Sequence, residues 1–243
     1  MIPGGQDRFF SRLPEFARLY AIPYELSQQG VQKHGRDGVI HRWALERITN
    51  KTGQKFHKVI GILIGEHTNL AAIRAGQPID VSDGFSRLDG LFSETRCGAI
   101  DSSVIFQMLG DGISGERIEE VLSQESGFKA LAGGECTLNH ILQRRDSKAK
   151  FAKEVFCYQI LKYIGAFTAS LGGVDLILFV GEGSLQIRRL AFDLTGHLRF
   201  MGVKKKAAVP SGEIAWLTTR GSTIKVCFIN CLGQPAPSPR SGR

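Results

Sequence analysis

The chain of 243 residues has no paired cysteines, no leader-like start and no apolar run of bilayer length. Its five cysteines (Cys97, Cys136, Cys157, Cys227, Cys231) are odd in number, scattered, and form no CxxC pair. That excludes a disulfide framework or a Cys-based zinc site as the reading and favours reduced thiols. Apolar runs such as Val59–Ile64 and Leu176–Val180 are strand-length, whereas a spanning helix needs about 18–20 apolar residues. Met1–Asp7 has neither a charged n-region nor an apolar h-region, so no secretory leader is expected. A cytoplasmic protein without a membrane partner is the expectation. The formal charge is +8, but the cations are spread over Arg144-Arg145, Arg188-Arg189, Lys204–Lys206, Arg240 and Arg243. No aromatic-interleaved strand or helix-turn-helix pattern accompanies them, so nucleic acid is not an expected partner.

What is present suffices for a core: 42% of residues are apolar, enough for one large domain or two small ones. Residues 1–40 read as an irregular lead-in with a short helix around Pro14–Tyr20. His41–Thr52 reads as a helix stopped by Gly53. Strands follow at Lys58–Ile64 and Asn69–Arg74, and Ala75-Gly76 turns the chain into a third near Pro78–Val81. Gly84 to Gly98 is a long loop with three glycines, the composition of a binding or packing loop. Ser102–Leu109 and Gly115–Gln124 read as short helices. Ser147–Leu171 is the strongest helix, with Phe151, Val155, Phe156, Ile160, Tyr163, Ile164 and Phe167 at three- and four-residue spacing before Gly172-Gly173. A buried-type strand at Leu176–Val180, a helix over Leu185–Thr195 and late strands at Gly212–Leu217 and Thr223–Ile229 complete the pattern. Leu232–Arg243, with three Pro, two Ser and two Arg, reads as a disordered tail. Three strands, then helices, then an αβ unit fit an actin-like nucleotide-binding half. A doubly wound sheet is the competing layout, and pattern alone does not choose between them.

The segment Leu171-Gly-Gly-Val-Asp-Leu-Ile-Leu-Phe-Val-Gly-Glu-Gly-Ser184 carries the most chemistry. A strand runs into a glycine-rich turn and a helix begins at Ser184, an order that offers backbone N–H groups and a helix dipole to a phosphate. Several other segments, read with it, resemble the acetate/propionate kinase family. Leu19-Tyr-Ala-Ile-Pro-Tyr-Glu25 is similar to "YALPYE", and Gly35-Arg-Asp-Gly-Val-Ile-His-Arg42 sits at "GFHGTSHR". Ile62-Leu-Ile-Gly-Glu-His-Thr-Asn-Leu-Ala-Ala-Ile73 resembles "CHLGNGASIAAI". Asp83–Leu91 resembles "MGFTPLEGL", Glu94–Asp101 resembles "GTRSGDID", and Phe179–Ser184 with Ile187-Arg188 resembles a shortened "FTGGIGENS…VR". Order and spacing hold from about residue 14 to 203.

The resemblance implies an α/β fold of the acetate and sugar kinase, Hsp70 and actin superfamily, a mixed sheet flanked by helices. It implies that 1–40 is a remnant of the interdomain region and 41–231 the C-terminal nucleotide-binding domain. It also implies transfer of phosphate from ATP to acetate or another short carboxylate, with Mg2+, giving acyl phosphate and ADP. Arg96 then stands where the family keeps the arginine facing the transferring phosphoryl, a task suited to a planar, always-charged fork. Asp7 falls at the family's acidic residue if one residue is deleted before Pro14; otherwise Gln6 falls there. Gly65, Gly181, Glu182, Gly183 and Ser184 are the nucleotide-binding positions.

The departures weigh against activity. The histidine of "GFHGTS" is Asp37, and that of "CHLGNG" is Leu63, which cannot donate a hydrogen bond. "GNG" becomes Gly65-Glu66-His67, and His67 lies past the strand's end, where it would aim elsewhere. The family's "SSDMRD" falls at Cys136-Thr-Leu-Asn-His140, placing Asn139 at the arginine. No acidic residue follows the last strand to hold magnesium, and no metal ligand is assigned. The family's N-terminal domain, with its carboxylate pocket, has no counterpart in this sequence. The expectation is an acetate kinase-like chain with impaired catalysis. The alternative is a non-catalytic interaction or dimerisation protein, or a degenerate relic. Expected partners are a second copy through the C-terminal domain, a small carboxylate and nucleotide if active, and a separately encoded N-terminal half.

Overall fold

Parallel strands buried on both faces must be apolar throughout, and the centre of this chain's sheet has that character. The computed structural model describes residues 8–134 and 137–232. Its strands are Lys58–Ile64 (β1), Asn69–Arg74 (β2), Gln77–Val81 (β3), Leu176–Gly181 (β4), Ile214–Trp216 (β5) and Lys225–Asn230 (β6). They form one mixed sheet in the order β3-β2-β1-β4-β6-β5. β1, β4 and β6 run parallel to one another. β2 and β3 extend the sheet antiparallel on one side, and β5 closes the other. Ala75 (φ 49°) and Gly76 (φ 78°) make the β2–β3 turn, both in the left-handed region that two-residue hairpins demand.

The helices are Glu15–Arg18 (α1), Tyr24–Gln28 (α2), Gly38–Thr52 (α3), Ser102–Gly110 (α4), Gly115–Gln124 (α5), Gly127–Ala132 (α6), Leu138–Gln143 (α7), Ser147–Leu171 (α8) and Leu185–His197 (α9). Alternation along the parallel strands divides the core in two. Ile60, Ile62, Ile64, Ile177, Phe179, Val226 and Phe228 face one cluster with α8 and α9, while Val59, Leu63, Leu176, Leu178, Val180, Cys227 and Ile229 face a second with α3. Helices therefore cover both sides of the sheet. The lead-in joins the second cluster: Phe9 and Phe10 are buried there, their rings 5.1 Å apart.

α8 is built as its spacing predicts. Asp146 caps it by accepting from the Ala149 N–H, and Gly172 ends it in the left-handed conformation. Its buried line is Ala149, Ala152, Phe156, Ile160, Ile164, Phe167 and Leu171. Phe151, counted in the expected apolar set, instead points outward with Tyr158, at 56% and 64% exposure. Several elements depart from the expected pattern. α6 and α7 are six-residue helices in a stretch for which no element was expected. The expected strand at Gly212–Leu217 shortens to Ile214–Trp216 because its pairing with β6 spans only those residues. The expected tail lies outside the described residues apart from Leu232.

Phe156 packs its ring 5.5 Å from Phe92 and 5.1 Å from Phe128. Phe156→Ala should cost about 3–5 kcal/mol in urea unfolding. Phe151→Ala, on the exposed face of the same helix, should stay within about 0.5 kcal/mol of the parent.

Candidate functional site

The parallel strands end together. Ile64 pairs with Gly181, and Gly181 with Asn230, so the carboxyl ends of β1, β4 and β6 lie side by side. Ligands of open α/β sheets bind outside such ends, and the predicted glycines sit there. Their roles differ. A methyl on Gly181 would lie 2.9 Å from the Ile64 carbonyl and 3.0 Å from Ile187, and one on Gly183 would lie 2.5 Å from Asn230 Nδ2. Packing alone requires these two glycines. At Gly65 the nearest atom to such a methyl is 4.0 Å away and φ is not positive. Nothing in the fold demands glycine there, so its bare face is available to a ligand.

Ser184 caps α9: its Oγ accepts from the Ile187 N–H and donates to Asn139 Oδ1 at 2.9 Å. Asn139 thus braces the helix start and ties α7 to α9. Glu182 is exposed in the turn, where its carbonyl accepts from the Ser184 N–H at 2.7 Å. Gly65, Gly181, Glu182, Gly183 and Ser184 accordingly belong to one end of the sheet, with Asn139 beside them. Asp7, Gln6 and Cys136 lie outside the described residues.

Arg96 occupies the long loop after β3, with its Nε donating to Ser93 Oγ at 3.1 Å. Burial holds its pKa below the ordinary arginine value, and repulsion from Arg87 and Arg36 adds to the effect while Glu66 and Glu94 oppose it. Arg36 is held by its Nη1 on the Ser86 carbonyl at 3.3 Å. Its pKa is likewise depressed, first by burial and then by Arg87, against the attraction of Asp83 and Asp37. Three arginines therefore share one region beside the Gly65-Glu66-His67 loop. Sequence reading had found Arg96 and missed Arg36 and Arg87, which sit at "F" and "P" of the motifs and give no pattern signal.

The two replaced histidines have different fates. Leu63 is only 7% exposed and belongs to the apolar cluster with Phe9 and Phe10. Asp37 stands at the N-cap of α3 with φ 58°, a left-handed conformation that Asp tolerates better than most residues. Beneath them runs a buried polar network. His41 Nε2 donates to Asn69 Oδ1 at 2.8 Å, and Asn69 Nδ2 donates to the Arg36 carbonyl and to Asp83 Oδ2. Asp83 also accepts from the Arg36 N–H and lies 3.2 Å from His67 Nε2. His67 thus turns onto Asp83. Gly61 makes room for this network, since a methyl there would lie 2.5 Å from His41 Nδ1.

The acetokinase family model matches residues 6–232. The chain belongs to that family. It is 35% identical to an acetate kinase of Bacteroides thetaiotaomicron and 36% identical to one of Bacteroides fragilis, each over 91% of this chain. It spans only 58% of those relatives' length. A Porphyromonas gingivalis acetate kinase structure superposes with a TM-score of 0.85 at 28% identity, covering 93% of this chain and 59% of that one. A Francisella tularensis propionate kinase gives 0.83 at 26% identity, covering 91% and 59%. The actin-like ATPase fold follows from these neighbours, which favours that layout over the doubly wound alternative. No helix among the described residues is long and apolar enough to cross a membrane.

Burial pushes the Asp83 carboxyl up, but His67, Arg36 and Asn69 outweigh it and hold it below the usual carboxylate range. A depressed folded pKa stabilises above the unfolded value of about 3.9 and is lost as pH falls through the folded one. Asp83→Asn should therefore lower the urea midpoint at pH 7 and flatten its fall below about pH 4. An unchanged acid limb would remove Asp83 from this role.

Proposed function

We propose that this chain is the nucleotide-binding half of an acetate kinase-type phosphotransferase, with transfer from ATP to acetate or another short carboxylate reduced to a vestige. The observation that carries the reading is the state of positions 37 and 63, where the family motifs have histidine. One is a carboxylate and the other a core leucine. When a phosphoryl group passes between two anionic oxygens, the protein's contribution is positioning and positive charge at the equatorial oxygens. Arg96 is the residue placed to supply it, with Arg36 and Arg87 near enough to perturb it. Glu66 and Asp37 act in the opposite sense. Each lost charge contact in such a site slows transfer by about 10²–10³, or roughly 3–4 kcal/mol, and losses within one cooperating set reach background quickly.

Bound ATP supplies the phosphoryl group, and the residues that would hold it are Gly65 on β1's end and the Gly181–Ser184 turn on β4's. At Gly65 a methyl would meet no atom nearer than 4.0 Å, so the backbone can be approached closely there. Magnesium fits poorly. Among the described residues no three His, Cys, Asp or Glu side chains converge to hold a metal. The position at the end of β6 is Asn230, a neutral amide whose Oδ1 accepts from the Leu232 N–H.

Mg-ATP at millimolar concentration should raise the melting temperature by mass action, while hydroxylamine trapping should detect no acyl phosphate above blank. Acetate-stimulated turnover would overturn the impairment. An absent thermal shift would overturn nucleotide binding.

A specific feature supports the second reading, a chain that assembles with a second copy. α4 has no buried residue, and Val104, Phe106 and Leu109 on it are 44%, 68% and 47% exposed. Such an apolar surface is what a partner covers. Light scattering should report a dimer for the parent chain and a monomer for Phe106→Glu, with the unfolding midpoint of the monomer unchanged.

A further inference from the structure

A cavity of about 580 Å³ lies between α7, α8 and α9. Its walls carry Arg144, Arg145, Lys150, Lys153 and Arg189 against a single carboxylate, Asp193. Four net positive charges, half of the chain's excess of eight, thus face one concavity. Two exposed arginines elsewhere are paired, Arg47 with Glu213 at 2.7 Å, and Arg117 with Glu120 and Glu125 at 2.7 and 2.8 Å. In the cavity only Arg144 is paired, with Asp146 at 2.8 Å. Among the described residues Arg145, Lys150, Lys153 and Arg189 have neither an ion-pair nor a hydrogen-bond partner.

The placement also runs against local preference. Lys150 and Lys153 lie in the first two turns of α8, and Arg189 lies just past the first turn of α9. Neither helix has an acid in its first turn. Lys150, in the first turn of α8, opposes the positive end of that helix's dipole, where acids would be preferred. Leu142, Leu185 and Leu190 give the cavity an apolar wall. Sites for small molecules of nucleotide size combine such a wall with a few convergent polar groups in a volume of this order.

We propose that this cavity binds a small anion carrying contiguous phosphate groups, either inorganic polyphosphate or the phosphate tail of a nucleotide. The site is independent of the phosphotransfer reading, since none of its lining residues belongs to the strand-end site. The concave shape favours a small ligand over a nucleic-acid strand, which needs an extended basic track.

The test is calorimetric titration of the full chain with sodium tripolyphosphate, without magnesium and at matched ionic strength. AMP and ATP form separate arms that distinguish the source of the phosphates. The parent should bind tripolyphosphate, and Lys150→Glu/Lys153→Glu should weaken it by at least about tenfold per lost charge contact. Those substitutions place acids near the start of α8, so the ligand-free melting temperature should hold or rise. Should the double variant fail to fold, Arg189→Gln serves the same purpose at the opposite wall, with a loss of about tenfold expected. Arg96→Ala, which probes the strand-end patch separately, should leave in place the binding that the cavity variants lose. The proposal is overturned by no binding beyond a matched chloride control, by equal affinity in parent and cavity variants, or by loss of binding in Arg96→Ala alone. Tighter binding of a duplex oligonucleotide than of tripolyphosphate would overturn it too.

Discussion

The parallel register of β1, β4 and β6 is the constraint on which the rest depends. Because Ile64, Gly181 and Asn230 are hydrogen-bonded neighbours, three separate loops must leave the sheet at one edge. Apolar side chains on both faces hold that register, since a one-residue slip would turn each strand's two sets onto the wrong helices. The requirement then reaches into the turn itself. Gly181 and Gly183 are pressed against Ile64, Ile187 and Asn230, so the glycine-rich segment that looks like a phosphate signature is also what allows the sheet to end compactly. The turn thus has a packing role of its own.

Beneath the strand ends, charge is arranged for order as much as for chemistry. Asp83 is buried and draws together the Arg36 backbone, Asn69 and His67. A lone carboxylate at that depth would be strongly destabilising, while one with three polar partners is tolerable and specifies its neighbours. By fixing the backbone at Arg36 and the ring of His67, Asp83 fixes the positions of Asp37 and Glu66 next to them. The surface above is then a patch of three mutually repelling arginines with carboxylates set among them.

Much of this was legible in the sequence, and the legible parts share a physical basis. β1, β2 and α8 occur with the boundaries their patterns predict, because burial on two faces or along one stripe writes a strong period into the residues. The caps at Gly53, Gly172 and Ser184 follow from local stereochemistry and were readable for that reason. α6 and α7 were not, being too short for a period to accumulate and held by contacts to α8 and α9. Among site residues, Arg96 was recognisable because a motif surrounds it. Arg36 and Arg87 are 51 positions apart and meet only through the loop that carries Ser86 onto Arg36. No local signal announces such a pair. The partnership of His67 with Asp83, and that of Asn139 with Ser184, are of the same kind.

Asn139 has a structural role in this fold. Its amide oxygen accepts a hydrogen bond from the Ser184 hydroxyl. That bond orients the cap of α9, whose Oγ then accepts from Ile187, and Ile187 packs into the main core on the α8 and α9 side of the sheet. Position 139 is thereby tied to the hydrophobic interior through two hydrogen bonds. Leu63 is tied there directly, packing with Phe9 and Phe10. Each side chain favours the folded state by burial or by bonding.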